Sequence, residues 1–367
     1  MYLSNLSLVN FKNYTEAQLN FSSGVNCFTG SNGSGKTNII DAVYYLSFTK
    51  SYFNISDTQN IHHGESLFVI QGKFVVNEKE EDVFCGVKTG FKKQVKRGNE
   101  EYERLSDHIG LFPIVMVAPV DHILIAEGSD ERRKFIDSII SQVNKPYLEN
   151  LISYNKALMH RNSYLKQLHG RMPDPSMMEV WDEQLVNYGS AIEKERRKFI
   201  AEFIPLFNET YNYLADHAEE VSINYQTQLE QDDFRTLLKL SLQKDIALQH
   251  TSAGIHKDEL VFKLGKYPLK RIASQGQQKT FLMAVKIAQF EYLFRHKKTK
   301  PILLLDDIFD KLDDFRVKRL MELVSRHTFG QIFITDTHPE RLKKIFEDIS
   351  VNIKLFEVSQ GMINEVS

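Results

Sequence analysis

Eight residues near the start of the chain have the types and spacing needed to bind a polyphosphate. The segment Gly30-Ser31-Asn32-Gly33-Ser34-Gly35-Lys36-Thr37 fits G-x-x-x-x-G-K-[ST], in which backbone N–H groups surround phosphate oxygens. Lys36 is placed to reach the β- and γ-phosphates of ATP, as a ligand and a catalytic residue, and the Thr37 hydroxyl to bind Mg²⁺. The predicted nucleotide ligands are Gly30, Ser31, Asn32, Gly33, Ser34, Gly35, Lys36, Thr37 and Asn38.

The residues on either side of this loop must position it. Residues 25–29 predict a short buried strand, and residues 38–46 predict the helix that follows the loop. A strand, a glycine loop and a helix N-terminus together form a concave anion site with a favourable dipole. The alternative is a glycine-rich turn with a solvated lysine. It does not explain a Lys-Thr pair and three glycines between two apolar elements.

A second apolar run ends in two carboxylates. Residues 303–305 are three leucines, and Asp306 and Asp307 follow them directly. We predict that Asp306 binds Mg²⁺ and that Asp307 orients or deprotonates an attacking water. Two adjacent carboxylates are costly to bury without a cation, and Mg²⁺ with its phosphates supplies one. A strand that ends in solvated acids is the alternative.

A third motif, Ser274-Gln275-Gly276-Gln277-Gln278-Lys279, precedes a predicted helix and forms a second candidate anion site. It lies too far along the chain to duplicate the first loop. Its natural use is to close on the γ-phosphate of a nucleotide held by another subunit. The alternative is that Ser274 is only the N-cap of its helix.

Composition limits the class of protein. The chain has 367 residues, 42% hydrophobic and 26% charged, which is typical of a globular protein of two or three domains. Its net charge of -2 excludes a uniformly basic nucleic-acid coat, and its two cysteines exclude a disulfide framework. The first residues do not resemble a signal peptide, and no apolar run is long enough to span a bilayer. We expect a soluble, cytoplasmic protein without a membrane partner.

Strand and helix patterns predict an α/β fold interrupted by a helical insertion. Residues 1–128 and 250–367 are predicted to form one discontinuous domain, and residues 129–249 a mostly helical one in which Pro205 bends or ends the third helix. Basic residues cluster on a predicted hairpin, namely Lys88, Lys92, Lys93, Lys96 and Arg97. They are candidate DNA-phosphate contacts, or a solvated edge that blocks sheet aggregation. A second basic run, residues 196–198, is offset by neighbouring acids.

The order of these motifs resembles the head domains of the ABC/SMC-type ATPases and, more narrowly, the RecF family. The resemblance covers nearly the whole chain and rests on residues 6–14, 30–38, 118–121, 131–137, 254–258, 274–279 and 306–313. There are three departures. The family usually has Pro at the position of Ile255 and Arg at that of Lys257, and an Arg commonly stands where Phe53 follows Lys50-Ser51-Tyr52.

The resemblance implies a fold and several residue roles. The fold is an ABC/SMC-type P-loop ATPase head with a mixed central sheet, together with a helical arm. Ser274, Gly276 and Gln277 correspond to the signature motif that contacts ATP across a dimer. Lys12 and Asn13 would touch the nucleotide, and residues 312–313 would line the dimer interface. The switch residue after the last core strand stays open between Thr335, Asp336 and His338.

The resemblance also implies a function. Family members dimerise with ATP, hydrolyse it slowly, and bind gapped DNA or single-strand/double-strand junctions, and we expect DNA to stimulate the hydrolysis. They help to load RecA with RecR and RecO in DNA repair and recombination. Two alternatives are an ABC-type ATPase subunit of another machine and a P-loop small-molecule kinase. The Asp306-Asp307 pair and the lack of Leu-Ser-Gly-Gly-Gln disfavour a transporter subunit, and the second anion motif disfavours a kinase.

Overall fold

The structure is a computed structural model that describes residues 1–215, 219–230, 232–308, 316–319, 322, 329–346 and 352–366. Residues 312–313, which the resemblance assigns to the dimer interface, lie outside this range. The chain forms two compact units. The first contains residues 1–122, 210–217 and 274–367, and the second contains residues 123–209 and 218–273.

The described residues of the first unit form two six-stranded sheets. The first sheet is antiparallel, with the strand order β2-β1-β4-β5-β6-β7. Its strands are β1 (Tyr2–Phe11), β2 (Tyr14–Asn20), β4 (Leu67–Val76), β5 (Lys79–Lys88), β6 (Gln94–Arg97) and β7 (Glu100–Glu101). The second sheet has the order β15-β14-β3-β13-β12-β8. Its strands are β3 (Val25–Thr29), β8 (Ile114–Val117), β12 (Ile302–Asp306), β13 (Ile332–Asp336), β14 (Ile353–Ser359) and β15 (Met362–Glu365).

Among the described residues, the helices that belong wholly to the first unit include α1 (Lys36–Phe48), α8 (Gln275–Lys297) and α9 (Pro339–Phe346). The second sheet is parallel except at β15, which pairs antiparallel with β14. Its strands β3, β8, β12 and β13 are buried along their whole length, as central parallel strands require. The predicted mixed central sheet is therefore confirmed.

Aromatic side chains hold the parallel strands together. The Phe28 ring of β3 stacks on Phe356 of β14, with 5.0 Å between the ring centroids, and on Phe333 of β13 at 6.4 Å. These rings belong to one apolar core that also contains α1 and the inner face of the antiparallel sheet. The strand that precedes the phosphate loop therefore lies in the interior, between β13 and β14.

The second unit contains helices and a small sheet. Its helices are α2 (Ile123–Ala126), α3 (Ser129–Val143), α4 (Lys145–Gln167), α5 (Pro175–Ala215), α6 (Phe234–Leu248) and α7 (Leu269–Ile272), of which α5 extends beyond the unit. Its strands are β9 (Val221–Gln226), β10 (Glu259–Leu264) and β11 (Tyr267–Pro268). Six residue pairs join β10 to β9 in this unit. Residues 250–273 therefore group with the second unit, whereas the sequence pattern predicted them in the discontinuous domain with residues 274–367.

The helix that contains Pro205 does not end there. It continues to Ala215, although a proline removes one helical hydrogen bond. Pro205 itself is exposed, while Phe203, Leu206 and Phe207 around it are buried. Burial of this apolar face offsets the lost bond.

The predicted basic run at residues 196–198 divides into a buried and an exposed arginine. Arg196 is 1% exposed, and its guanidinium contacts Asp258 at 2.7 Å and Asp137 at 2.9 Å. Tyr225 and Tyr147 donate hydrogen bonds to the same two carboxylates. Arg196 is therefore part of the interior of the second unit and is excluded from any DNA-binding patch.

Replacing Arg196 by Met should lower the free energy of unfolding by about 3 kcal/mol, because it leaves the buried Asp258 carboxylate and the partly buried Asp137 carboxylate without their cation. The neighbouring Arg197→Met is the matched control. Arg197 is half exposed and pairs with Glu193 and Glu230 at the surface, so its loss should change the free energy by less than about 0.5 kcal/mol. Urea unfolding of both variants tests this, and equal shifts would contradict it.

Candidate active site

The phosphate loop has a backbone that only glycine fits at two positions. Gly30 has a φ of 149°, and a Cβ atom there would lie 2.2 Å from the carbonyl oxygen of Val358. Gly35 has a φ of 118°, and a Cβ atom would lie 2.5 Å from the Asn13 amide nitrogen and 2.6 Å from the Tyr14 hydroxyl. Both positive φ angles and both contacts exclude a side chain. The loop thus lies directly against β14 and the start of β2.

Asn13 and Tyr14 hold the loop in place. The Asn13 amide donates to the Ser34 carbonyl at 3.0 Å and accepts from the Asn38 amide at 2.7 Å. The Tyr14 hydroxyl donates to the Gly35 carbonyl at 3.1 Å. These bonds fix the loop backbone before any ligand arrives, and such preorganisation lowers the cost of binding. The nucleotide contact expected of Asn13 stays a prediction.

Two polar groups of the loop fit a phosphate ligand. The Lys36 ammonium is 2.7 Å from the Gly30 carbonyl oxygen and 2.9 Å from that of Ser31, so it closes over the loop. The Ser34 hydroxyl is buried and has no hydrogen-bond partner among the described residues. A buried unpaired hydroxyl is costly, and phosphate oxygens are acceptors that it lacks. The residues present therefore fit a polyphosphate.

The acidic strand meets the loop directly. The Thr37 hydroxyl is 2.9 Å from Oδ1 of Asp306, at the end of β12, and the Thr335 hydroxyl donates to the same oxygen at 2.7 Å. Asp306 and Thr335 are register partners in β12 and β13. One carboxylate beside a threonine hydroxyl suits Mg²⁺, which takes few protein ligands and completes its shell with phosphates and water. The two predicted metal ligands are thus brought together from positions 37 and 306.

Burial disfavours the charge of Asp306. Desolvation raises the pKa of this carboxyl above its ordinary value, and Asp307 adds to the effect. Hydrogen bonds from Thr335 and Thr37, and the positive charge of Lys36, oppose it. The ionised form is therefore less favourable in the ligand-free folded protein than in the unfolded chain, as expected of a group that awaits a cation.

Replacing Asp306 by Asn should stabilise the ligand-free protein by about 1 kcal/mol at pH 7, because it removes a desolvated charge. Since the folded-state pKa is raised, the stability cost is present above that pKa and disappears as pH falls below the unfolded value. The gain over wild type should therefore shrink when urea unfolding is repeated near pH 4. Asp107→Asn, a change of the same type outside the site, should show no such gain. A destabilised Asn variant at pH 7 would contradict the prediction.

Asp307, the predicted partner of the attacking water, has an unusual backbone. Its φ is 49°, and its N–H donates to the Thr335 hydroxyl at 2.9 Å. Thr335 thus contacts both acids of the pair. Asp307 also lines a cavity of about 190 Å³ together with Lys279 of α8 and His122. Of the three candidate switch residues, Thr335 lies in the site, whereas His338 is exposed and its N–H donates to Asp336.

Lys12 has an interior partner. Its ammonium lies 2.6 Å from a carboxylate oxygen of Asp41, which is fully buried on α1. Asp41 also accepts from the Ser51 hydroxyl at 2.6 Å and the Tyr52 N–H at 2.7 Å. The nucleotide contact expected of Lys12 stays a prediction, and its observed role is to pair with Asp41.

A buried group that the sequence did not predict continues this network to the signature helix. The Tyr52 hydroxyl donates to Asp121 and accepts from the Lys286 ammonium of α8 at 3.0 Å. Lys286 and Asp121 form an ion pair of 2.7 Å, and both side chains are about 95% buried. Asp121 lies in the 118–121 segment that carries the family resemblance, so a signal was available. The network links α1 and the segment after β8 to α8. Removing one partner of its buried ion pair would be strongly destabilising, because the other charge would stay buried without a counterion.

The signature residues form the first turn of α8, where Ser274 is exposed and Gly276 and Gln277 are partly exposed. The Ser274 hydroxyl accepts from the Gln277 N–H, and the Gln277 side chain accepts from the Ser274 N–H at 2.6 Å, which makes a capping box. In the described part of the chain, the hydrogen bonds of Ser274 stay within this first turn. A Cβ atom at Gly276 would have no neighbour closer than 3.9 Å. Ser274 is thus the N-cap of α8, and its contact with a nucleotide stays a prediction.

Comparison with known proteins gives the family. The RecF/RecN/SMC N terminal domain matches residues 2–108. The DNA replication and repair protein RecF of Flavobacterium johnsoniae is 46% identical over 359 residues, 98% of this chain and 100% of that protein. RecF of Bacteroides fragilis is 48% identical over 368 residues, covering 100% of this chain and 99% of that protein.

Solved structures agree with the fold. The recombination mediator protein RecF-ATP in the RecFOR pathway is similar with a TM-score of 0.90 and 27% identity, covering 100% of this chain and 98% of that chain. An Smc head domain with an extended coiled coil from Pyrococcus furiosus has a TM-score of 0.58 and 18% identity, covering 100% and 96%, and supports the fold alone. From the full-length sequence identity, the chain belongs to the RecF family of DNA replication and repair proteins.

Proposed function

We propose that this protein is a slow ATPase that dimerises on ATP and binds gapped DNA or single-strand/double-strand junctions. The observation that carries the proposal is the Thr37–Asp306 contact, which joins a preformed phosphate loop to the acid of a second strand. A similar solved RecF structure is named as an ATP complex, which supports the choice of nucleotide. We further propose that the protein acts with RecR and RecO in loading RecA, in the cytoplasm.

Each residue of the site has a distinct task in this proposal. The loop N–H groups and Lys36 bind the phosphates, and the Ser34 hydroxyl gains the acceptor that it lacks. Thr37 and Asp306 would hold Mg²⁺, which when bound neutralises charge that develops on the phosphates. Asp307 orients the water that attacks the γ-phosphorus and accepts its proton, while the bond to the β–γ bridging oxygen breaks. The products are ADP and phosphate.

The signature turn supports dimerisation. Ser274 is exposed and Gly276 and Gln277 are partly exposed at the N-terminus of α8, which favours negative charge. In our proposal this turn contacts the γ-phosphate held by a second copy of the chain. Neither surface alone satisfies the charge of the triphosphate, so ATP joins the two copies and hydrolysis releases them.

No helix in the described ranges has the length and apolarity to cross a bilayer.

Two measurements test the proposal. Sedimentation velocity should show a monomer without nucleotide and a dimer with ATP and Mg²⁺. Phosphate release should be slow and should rise when a gapped duplex is added. A protein that stays monomeric with ATP, or whose hydrolysis responds to a small metabolite and not to DNA, would contradict it.

A further inference from the structure

The turn between β5 and β6 exposes an aromatic ring. Phe91 is 68% exposed, whereas Phe84 of β5 is only partly exposed. The turn is fixed, because the Phe91 N–H donates to the Lys88 carbonyl at 3.0 Å and the Thr89 N–H to the Ser66 carbonyl at 2.9 Å. A single exposed apolar side chain is common on a protein surface, so this ring gains significance only from the cations beside it and from the rigid turn that presents it.

Four of the five predicted basic residues fall into two groups, of which the first is neutralised, and the fifth, Lys96, lies 5.6 Å from the centroid of the Phe84 ring. The Lys93 ammonium lies 2.6 Å from Asp57 and donates to the Thr49 carbonyl. The Arg97 guanidinium makes two hydrogen bonds of 2.8 Å to Glu81. These side chains bind other parts of the same unit, so the DNA contact predicted for Lys93 is disfavoured.

The second group, Lys88 and Lys92, belongs to the turn that carries the exposed ring. The Lys88 ammonium lies 4.7 Å from the centroid of the Phe91 ring, a cation–π contact. Lys92 is exposed, and among the described residues it has no hydrogen-bond or ion-pair partner. Of the acids on adjoining segments, Asp57 is used by Lys93 and Glu101 accepts from Gln94 at 3.5 Å, while Glu65 is exposed beside Ser66. The turn thus presents an exposed ring with the Lys88 ammonium against it and with Lys92 adjacent in sequence.

We propose that Phe91 stacks on an unpaired base at a single-strand/double-strand junction while Lys88 and Lys92 bind the phosphates beside it. This inference rests on the DNA binding proposed above and adds the contact that recognises the junction. Aromatic rings stack on bases without regard to sequence, and lysines near such a ring bind the phosphates of the same strand. If the ligand were an uncharged protein surface, Phe91 could bind it without Lys88 and Lys92. The junction is therefore recognised by its unstacked base.

Anisotropy titration of a gapped duplex over a salt series tests the proposal. Phe91→Ala should weaken binding about tenfold, the usual loss for one base stack, and leave the affinity for blunt duplex unchanged. Phe91→Trp should retain the affinity and Phe91→Leu should not, since leucine keeps the apolar surface without a stacking face. The double variant Lys88→Ala/Lys92→Ala should lower the slope of log K against log salt by between about one and two.

A second readout reports stacking itself. With 2-aminopurine at the first unpaired position, wild type and Phe91→Trp should change its fluorescence, and Phe91→Leu should not. Lys73→Ala is the matched charge control, because Lys73 is paired with Glu80 on the same sheet, and it should behave as wild type. If Phe91→Ala binds the gapped duplex with wild-type affinity, the inference is overturned. This holds even if the variant fails to bind a protein partner, because Phe91 would then contact that protein and not DNA. A wild type that binds no DNA would overturn the proposed function together with it.

Discussion

Lys36→Met should lower the rate of ATP hydrolysis by about a thousandfold, because the variant loses the cation that stabilises charge on the transferred phosphoryl group. The side chain of methionine is similar in length, so the loop carbonyls of Gly30 and Ser31 lose a charged donor without a large change in packing. Phosphate release under saturating ATP measures the effect. The free energy of unfolding, measured in parallel, separates a catalytic loss from misfolding.

Lys79→Met is the control for this variant. Lys79 is exposed at the start of β5, on the antiparallel sheet, and its loss should leave hydrolysis unchanged. A Lys36→Met protein that folds normally and hydrolyses ATP at a rate within about threefold of wild type would contradict the assignment. Loss of a catalytic phosphate-loop lysine should lower the rate far more than that.

Gly276→Asp should abolish ATP-driven dimerisation and lower the rate of hydrolysis about a thousandfold. An effect of this size is expected for a group that acts in trans on the γ-phosphate. The monomer has room for this side chain, and an acid in the first turn of α8 is favourable for the helix. The loss would therefore come from repulsion between the new carboxylate and the nucleotide of the other subunit. Gly276→Asn has the same shape without the charge, so it should retain much more activity.

Mixing two inactive variants makes this experiment sharper. A dimer of one Lys36→Met chain and one Gly276→Asp chain has one site in which both halves are intact. The mixture should therefore recover roughly a quarter to a half of wild-type hydrolysis, although each variant alone is inactive. Activity no greater than the sum of the separate variants would show that the two motifs do not form a site across the dimer.

The contiguous parts of the site could be predicted from sequence. The phosphate loop, the strand before it and the helix after it occupy consecutive residues, so their pattern is local. The leucine strand ending at Asp306 was found for the same reason. Thr335 was only one of three candidates for the switch residue after the last core strand, whereas it lies within β13, and its contact with both acids depends on the register of β12 and β13. A single sequence does not contain that register.

Other parts were hidden because the same residue type serves different purposes. Arg196 stands in a basic run, yet its spacing from Ile192, Phe199 and Phe203 places it on the buried face of α5. That spacing was the available signal, and charge alone obscured it. The pairing of Lys93 with Asp57 joins residues 36 positions apart, and no local pattern indicates it.

The position of β3 between β13 and β14 has a consequence for synthesis of the protein. This strand is complete early, but both of its neighbours leave the ribosome roughly 300 residues later, which takes on the order of half a minute. During that interval the nascent chain exposes two unpaired edges of an apolar strand, which are prone to aggregate. Nucleotide binding therefore arises last in biogenesis, and chaperones are expected to protect the amino-terminal segment until then.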